Sequence, residues 1–276
     1  MINPKFSITD LLKIRCQVKA QKPLIHCITN PISINDCANV VLAVGAKPIM
    51  AEHPAEVSEI TATAKALAVN LGNITDQRMQ AMLLSGKVAC ERHIPSVIDL
   101  VGIGCSHLRL DFAKRFISKC HPNVIKGNMS EIRALCSVES HARGIDVGDQ
   151  DILTNDNLDD SIKLLQALSL KTGAVVAATG NVDIITDGRD TYLIANGCEM
   201  LSMITGTGCM LNVLIASFIS GKHIIAGTIL ATALMGIGGE ISQRVQGTGM
   251  FRTALLDNLF GISDSVFSEK IRYSKH

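Results

Sequence analysis

Short apolar runs alternate along the chain with longer stretches whose apolar positions recur at helical spacing. Ser7, followed three residues later by Asp10, reads as a helix start, with Ile8, Leu11, Leu12 and Val18 as its stripe and Pro23 as its stop. Residues 24–28 then form a short buried strand, Thr29-Asn30-Pro31 turns the chain, and a helix over 35–44 ends at Gly45. The same rhythm predicts strands over 47–50, 68–71, 96–98, 123–125 and 174–178. Helices are expected over 57–66, 75–84, 108–117 and 158–170, with another beginning at Ser130 and Glu131. Runs 182–186 and 191–195 flank Asp187-Gly188-Arg189-Asp190, a hairpin signal. Lys126-Gly127-Asn128 reads as a loop, Cys136 to Asp151 as a surface excursion, and the chain from Met210 onward as almost wholly helical. Strands separated by helices imply a mostly parallel sheet covered on both faces, an α/β fold. No internal repeat, low-complexity tract or linker interrupts the pattern, so one domain over 1–276 is expected.

Composition narrows the partners. Hydrophobic residues make up 47% of the 276, enough for a sizeable core. Aromatics are only 3%, Trp is absent and the net charge is +1, which argues against nucleic acid and leaves small-molecule chemistry. Nine cysteines, an odd number with no Cys-x-x-Cys pair, fit a reduced cytoplasmic setting better than a disulfide framework or zinc ribbon. The first residues lack the apolar core of a signal peptide. The uncharged segment 224–239 is short for a membrane span and diluted by glycine, so it is expected to be a core helix.

Candidate chemistry centres on Thr205-Gly206-Thr207-Gly208-Cys209, which opens onto the apolar run 210–219. Glycines let a ligand approach the backbone, and the helix that follows points unpaired N–H groups and its positive dipole end at the turn. That arrangement binds anions, typically phosphate. It would also favour a thiolate at Cys209 and lower its pKa. A plain turn into a packed helix is the competing reading. In open α/β sheets ligands bind beyond the carboxyl ends of the strands, a rule that selects Asn30, Asn70, Asp99, Lys126 and Thr179. Both Gly-Lys pairs, at 86–87 and 221–222, lack the following Ser or Thr of a P-loop. Gly206-Thr-Gly208 lacks the third glycine of the dinucleotide fingerprint and comes after a hairpin.

Several spaced segments, in one order, resemble the hydroxyethylthiazole kinases of the ribokinase-like superfamily. They are His26-Cys-Ile-Thr-Asn30 with Asn35 and Ala38-Asn39, Gly45-Ala-Lys-Pro-Ile-Met50, Asn70-Leu-Gly72, Asp99-Leu-Val-Gly102, Lys126-Gly-Asn128 with Glu131-Ile132, Ala178-Thr-Gly180 and Thr205-Gly-Thr-Gly-Cys209. The resemblance implies a three-layer α/β/α fold with a central, mostly parallel sheet, and a homotrimer with active sites between subunits. It implies transfer of the ATP γ-phosphoryl group to the hydroxyl of 4-methyl-5-(2-hydroxyethyl)thiazole in thiamine salvage. On these positions it places Asn30, Met50 and Gly206 at the thiazole, and Lys126, Thr179 and Gly208 at ATP. Asp99 and Glu131 fall at Mg²⁺, and Cys209 falls at the catalytic position. The thiol is expected to position the substrate hydroxyl and assist proton removal.

The chain departs from the family at Leu100, where Pro is usual, and at Ile103, where Ala is usual. Lys126 replaces a more frequent Arg, giving a point charge in place of a planar fork. Leu100 would loosen the loop beside the metal ligand, and Ile103 would add bulk beside the phosphates. These changes keep open a binding protein without turnover, alongside a related kinase for a hydroxymethylpyrimidine or sugar. Among the remaining residues, His26 reads as a hydrogen-bonded core residue. Cys27, Cys37, Cys105 and Cys198 read as small apolar fillers, and Asp183, Asp187 and Asp190 as solvated turn residues.

Overall fold

The computed structural model describes residues 6–137 and 157–276. The chain begins α1 (Ile8–Gln21), β1 (Leu24–Ile28), a 3-10 turn (Pro31–Ser33), α2 (Ile34–Ala43), β2 (Lys47–Ile49), α3 (Val57–Thr63), β3 (Ala66–Asn70) and α4 (Asp76–Glu91). It continues β4 (Ser96–Asp99), α5 (His107–Cys120), β5 (Val124–Asn128), α6 (Met129–Leu135), α7 (Leu158–Thr172), β6 (Val175–Thr179), β7 (Asp183–Thr186) and β8 (Thr191–Ile194). It ends α8 (Thr207–Ile219), α9 (Ile224–Ser242), α10 (Thr248–Gly261), α11 (Asp264–Lys270) and β9 (Tyr273–Lys275).

Among the described residues the strands form one nine-stranded sheet in the order β2-β1-β3-β4-β5-β6-β7-β8-β9. β2 through β6 run parallel, and β7, β8 and β9 extend the sheet antiparallel. Side chains alternate between the faces, as strand geometry requires. Ile25, Cys27, Ala66, Ala68, Val97 and Val124 face a core built with α1, α2, α8, α9 and α10. Ile28, Leu67, Val69, Ile98, Ile125 and Val176 face a second core built with α4, α5, α6 and α7. The three-layer α/β/α expectation therefore holds.

Local signals account for most boundaries. Ser7 and Asp10 form the expected capping box on α1. Gly45 takes φ +90° just past α2, and the chain turns there into β2. Other boundaries move for tertiary reasons. The helix expected over 57–66 stops at Thr63, because Ala66 already pairs with Ile25 in the sheet. α4 runs seven residues past its expected end at 84, carrying Gly86 through its middle. A Cβ on Gly86 would lie 2.7 Å from Cys120 Sγ and from Phe116, so this glycine permits close packing of α4 on α5.

Residues 126–128 belong to β5 and are not a loop: Lys126, Gly127 and Asn128 pair with Ala177, Ala178 and Thr179. α6 is capped by Asn128, whose side chain and Glu131 form a reciprocal capping box. Of the excursion expected over 136–151, only Cys136 and Ser137 are described, and both close α6; the rest lies outside the described residues. β9 has no strong sequence signal and is an edge strand on β8. α9 is long and apolar enough to cross a membrane, but its run from Ala226 to Gly239 is buried against α8 and α10. It is a core helix here.

Candidate active site

The carboxyl ends of β3, β4 and β5 converge on the start of α8. Asn70 Nδ2 donates to Asp99 Oδ2 at 2.7 Å and to Cys209 Sγ at 3.4 Å, while Asn70 Oδ1 accepts from the Gly72 amide at 2.8 Å. Lys126 Nζ donates to Asp99 Oδ2 at 3.0 Å and to the Gly208 carbonyl at 3.1 Å. Asn212, one turn into α8, donates to the Val69 carbonyl at 3.1 Å and seats the helix on the sheet.

Gly206 caps α8 with φ +91° and ψ −2°, and it supplies no side-chain cap to the amides of the first turn. A Cβ there would lie 2.9 Å from Ser33 Cβ, so the turn after β1 and the start of α8 touch only because residue 206 is glycine. The first helical bond runs from the Met210 amide to the Gly206 carbonyl. The amides of Thr207, Gly208 and Cys209 precede it and lie where a helix presents its unpaired donors. A cationic ammonium and three amides thus stand together, an arrangement suited to an anion.

Burial governs the electrostatics. It pushes the Asp99 carboxyl up, against the pull of Lys126 and Asn70. It also opposes the charge on Lys126, but Asp99 and Glu131 outweigh it and hold the ammonium above its ordinary value. Glu131 is pushed up to about 7 by burial and by Asp99, although the amides of Asn128 and Gly102 each donate to it at 2.8 Å. For Cys209 the expectation from helix position is overturned. Burial first, then Asp99, raises its pKa, more than Ser33, Lys126 and Asn70 lower it. At neutral pH the group is a thiol.

Two carboxylates are available to a cation. Asp99 Oδ1 is buried without a hydrogen-bond partner of normal geometry, which suits a ligand position. Both Glu131 oxygens hold a backbone amide, so their remaining lone pairs would reach a metal most easily through its waters. Among the described residues no group of three or more His, Cys, Asp or Glu is placed to hold a metal. A hard ion that keeps most of its waters needs only one or two carboxylates.

The remaining expected residues divide between two sides of this centre. Asn30 caps the turn after β1, its Oδ1 accepting from the Ile32 amide at 3.1 Å. Met50 follows β2, the neighbouring strand, and packs half-buried against the first core. Thr179 and Gly208 line a cleft of about 760 Å³ on the other side, with Asn128, Asp183, Asn196, Cys198, Leu201, Leu211 and Met235 also in its walls.

Several readings change. Asp183 is half-buried in the cleft wall and accepts from the Gly180 amide at 2.9 Å; burial pushes it up to about 7, so it is no solvated turn residue. Asp187 does cap the hairpin turn, accepting from the Arg189 and Asp190 amides, whereas Asp190 pairs with Lys275 at 2.7 Å. Cys105 is exposed and is no core filler; Cys27 and Cys37 are buried fillers, and Cys198 packs half-buried against the first core while also lining the cleft.

The Leu100 amide donates to the Lys126 carbonyl at 2.9 Å, a bond that proline could not make, so Leu100 ties the loop to β5 and does not loosen it. Ile103 is buried in the second core, so its side chain packs inward and adds no exposed bulk. His26 is buried as expected, with its ring nitrogens on Thr61 and the Ala51 carbonyl. Arg78, buried beneath the turns that follow β1 and β3, is not singled out by sequence; its polar side chain on an otherwise ordinary helix carries no local signal of its partners.

The hydroxyethylthiazole kinase family model matches residues 16–265. A protein of Clostridium botulinum named hydroxyethylthiazole kinase 2 is 65% identical over 265 residues, covering 96% of this chain and all of that relative. A hydroxyethylthiazole kinase of Ruminiclostridium cellulolyticum is 39% identical, covering 96% of this chain and 97% of that relative. The solved structure of a hydroxyethylthiazole kinase protein from Pyrococcus horikoshii superposes with a TM-score of 0.88 at 29% identity, covering 97% of this chain and 99% of that one. A ribokinase-like superfamily protein from Enterococcus faecalis, 14% identical with a TM-score of 0.59, shares the fold. With the strand-end cluster at the start of α8 and a match spanning nearly its whole length, this chain belongs to the hydroxyethylthiazole kinase family.

Proposed function

We propose that the protein, a single domain over 1–276, transfers the γ-phosphoryl group of ATP to the hydroxyl of 4-methyl-5-(2-hydroxyethyl)thiazole in thiamine salvage. The observation that carries this reading is the cluster of Lys126, Asp99, Asn70 and Cys209 at the start of α8, between the Asn30–Met50 rim and the large cleft. The alcohol lies against Asn30, Met50 and Gly206. ATP occupies the cleft at Thr179 and Gly208, with its phosphates toward Lys126.

The hydroxyl oxygen attacks the γ-phosphorus, and the bond from phosphorus to the bridging oxygen of ADP breaks. Charge on the transferring group meets Lys126 and the amides of residues 207–209, donors already in place. In a loose transition state the hydroxyl proton leaves late, so no strong base is required. The proton passes to the phosphoryl oxygens as the new ester forms. Cys209, protonated at neutral pH, holds the hydroxyl by hydrogen bonding and forms no covalent intermediate. Mg²⁺ fits the donor set of Asp99 and Glu131 and supplies neutralisation of the phosphates when bound.

A homotrimer with sites between copies is supported by exposed apolar side chains, Ile32 at 63% in the turn after β1 and Met203 at 53% three residues before Gly206. A cytoplasmic setting is supported by nine unpaired cysteines. The alternative of a binding protein without turnover rested on Leu100 and Ile103, and both are now explained by packing.

The test is ADP release with the thiazole alcohol, with and without Mg²⁺. Turnover dependent on both, strongly reduced in Cys209→Ala, is expected. Turnover of a hydroxymethylpyrimidine or a sugar in preference to the thiazole would overturn the reading, as would a phosphorylated Cys209 in trapped enzyme.

A further inference from the structure

Arg78 lies in the first turn of α4 and is only 3% exposed. Nη1 donates to the carbonyls of Gly72 at 3.0 Å and Asn73 at 2.8 Å, Nη2 donates to the Thr29 carbonyl, and Nε lies 3.0 Å from Glu52 Oε2. Those partners follow three different strands, β3, β1 and β2. Each leads to an acceptor-side group. Thr29 precedes Asn30, and Glu52 stands two residues after Met50. Gly72 is held by Asn70, whose amide reaches Asp99 and Cys209. The two turns also press together: a Cβ on Gly72 would lie 2.5 Å from Asn30 Nδ2.

We infer that Arg78 is a positioning residue for the acceptor alcohol, holding the ends of β1, β2 and β3 in one register while leaving the nucleotide side untouched. Carbonyls just past a strand end have no ladder partner, and here those of Thr29 and Gly72 are buried, while that of Asn73 lies at the edge of the cluster. A guanidinium satisfies them because its five N–H donors point outward in a fixed plane, in several directions at once. An ammonium on a flexible stem cannot span the same set. None of the cleft-lining residues is among the partners of Arg78. The effect is therefore directional, toward Asn30, Met50 and Cys209 and away from Thr179 and Asp183. This inference rests on the assignment of the Asn30–Met50 rim to the acceptor.

The experiment compares Arg78→Lys and Arg78→Met with the wild type, varying the thiazole alcohol and ATP separately. KM for the alcohol should rise tenfold or more and kcat should fall, while KM for ATP stays within about twofold. Hydrogen exchange on the same proteins should show lost protection over 28–36, 50–56 and 70–75, with 124–136 and 175–186 unchanged. Equal rises in both KM values would overturn the inference, and so would folded variants with wild-type KM for the alcohol. Should the wild type not phosphorylate the thiazole alcohol, the functional reading fails, and the exchange pattern alone decides the role of Arg78. Unchanged protection at the three strand ends would then refute it.

Discussion

The contact between Gly206 and Ser33 can be separated from the backbone strain at the same position. Gly206 has φ +91°, and a Cβ there would meet Ser33 Cβ at 2.9 Å. Gly173, the C-cap of α7, has φ +72° with nothing within 4 Å of a built Cβ. Gly249, in the first turn of α10, has neither a positive φ nor a neighbour within 4 Å. Alanine at these sites therefore isolates successive effects. Gly249→Ala should stabilise by about 0.5–1 kcal/mol, the ordinary gain of alanine over glycine in a helix. Gly173→Ala should cost about 1–2 kcal/mol from left-handed backbone alone.

Gly206→Ala carries that cost plus about 1–3 kcal/mol for displacing a close-packed neighbour, in all about 2–5 kcal/mol. At about 2–3 °C per kcal/mol for a chain of this size, Gly206→Ala should melt roughly 4–15 °C lower and Gly173→Ala roughly 2–6 °C lower. The displaced neighbour is the turn that begins at Asn30, so KM for the alcohol should rise in Gly206→Ala and not in Gly173→Ala. Thermal melting and steady-state kinetics on the three variants decide the matter. Equal losses of stability at 173 and 206, with unchanged KM at 206, would refute the argued contact.

Other expectations follow from buried charge and from the cleft wall. Lys126→Met leaves Asp99 buried without its cation and should cost about 3–5 kcal/mol; adding Asp99→Asn should recover most of the stability but none of the activity, and a single-variant loss under 1 kcal/mol would contradict the pairing. Burial holds the His26 ring below its ordinary 6.5, against smaller opposing effects from Ala51 and Glu56. As pH falls below 6.5 the unfolded chain takes up a proton that the folded ring resists, so stability falls on acidification. The stability slope between pH 7 and 5 should be shallower in His26→Gln, and parallel curves would disprove this. Glu240 Oε1 accepts from Asn196 Nδ2 at 3.1 Å, the Gly197 amide at 2.8 Å and Arg272 at 2.7 Å, tying the cleft wall to the residue before β9. Gly197 and Arg272 are exposed and Asn196 Nδ2 keeps the Lys270 carbonyl at 2.9 Å, so Glu240→Ala should cost only about 1 kcal/mol, and calorimetry should show weaker ADP binding with alcohol KM unchanged.

Much of this protein is legible from local chemistry. The alternation of apolar runs with amphipathic stretches specifies the strand and helix order, because strand and helix periods are properties of neighbouring residues. Ser7 with Asp10 marks the start of α1 for the same reason. The Gly206–Cys209 turn, Asp99 and Lys126 stand out because glycine and charge at strand ends are visible without a fold. What depends on distant partners was not readable. Residues 126–128 look like a loop until β6 arrives to pair with them. Leu100 looks like a loosened proline until the Lys126 carbonyl is beside its amide.

Cys209 shows the division most sharply. Its place at a helix start argues for a lowered pKa, and that much is local. The packing of α8 onto the sheet buries the thiol and sets Asp99 near it, and these effects raise the pKa instead. Arg78 likewise gains its meaning only when three strand ends meet around it. Sequence determined the order of elements and the residue types at the site, since both depend on neighbours along the chain. The tertiary structure decided protonation and positioning, since burial and charge proximity are set by groups far apart in sequence.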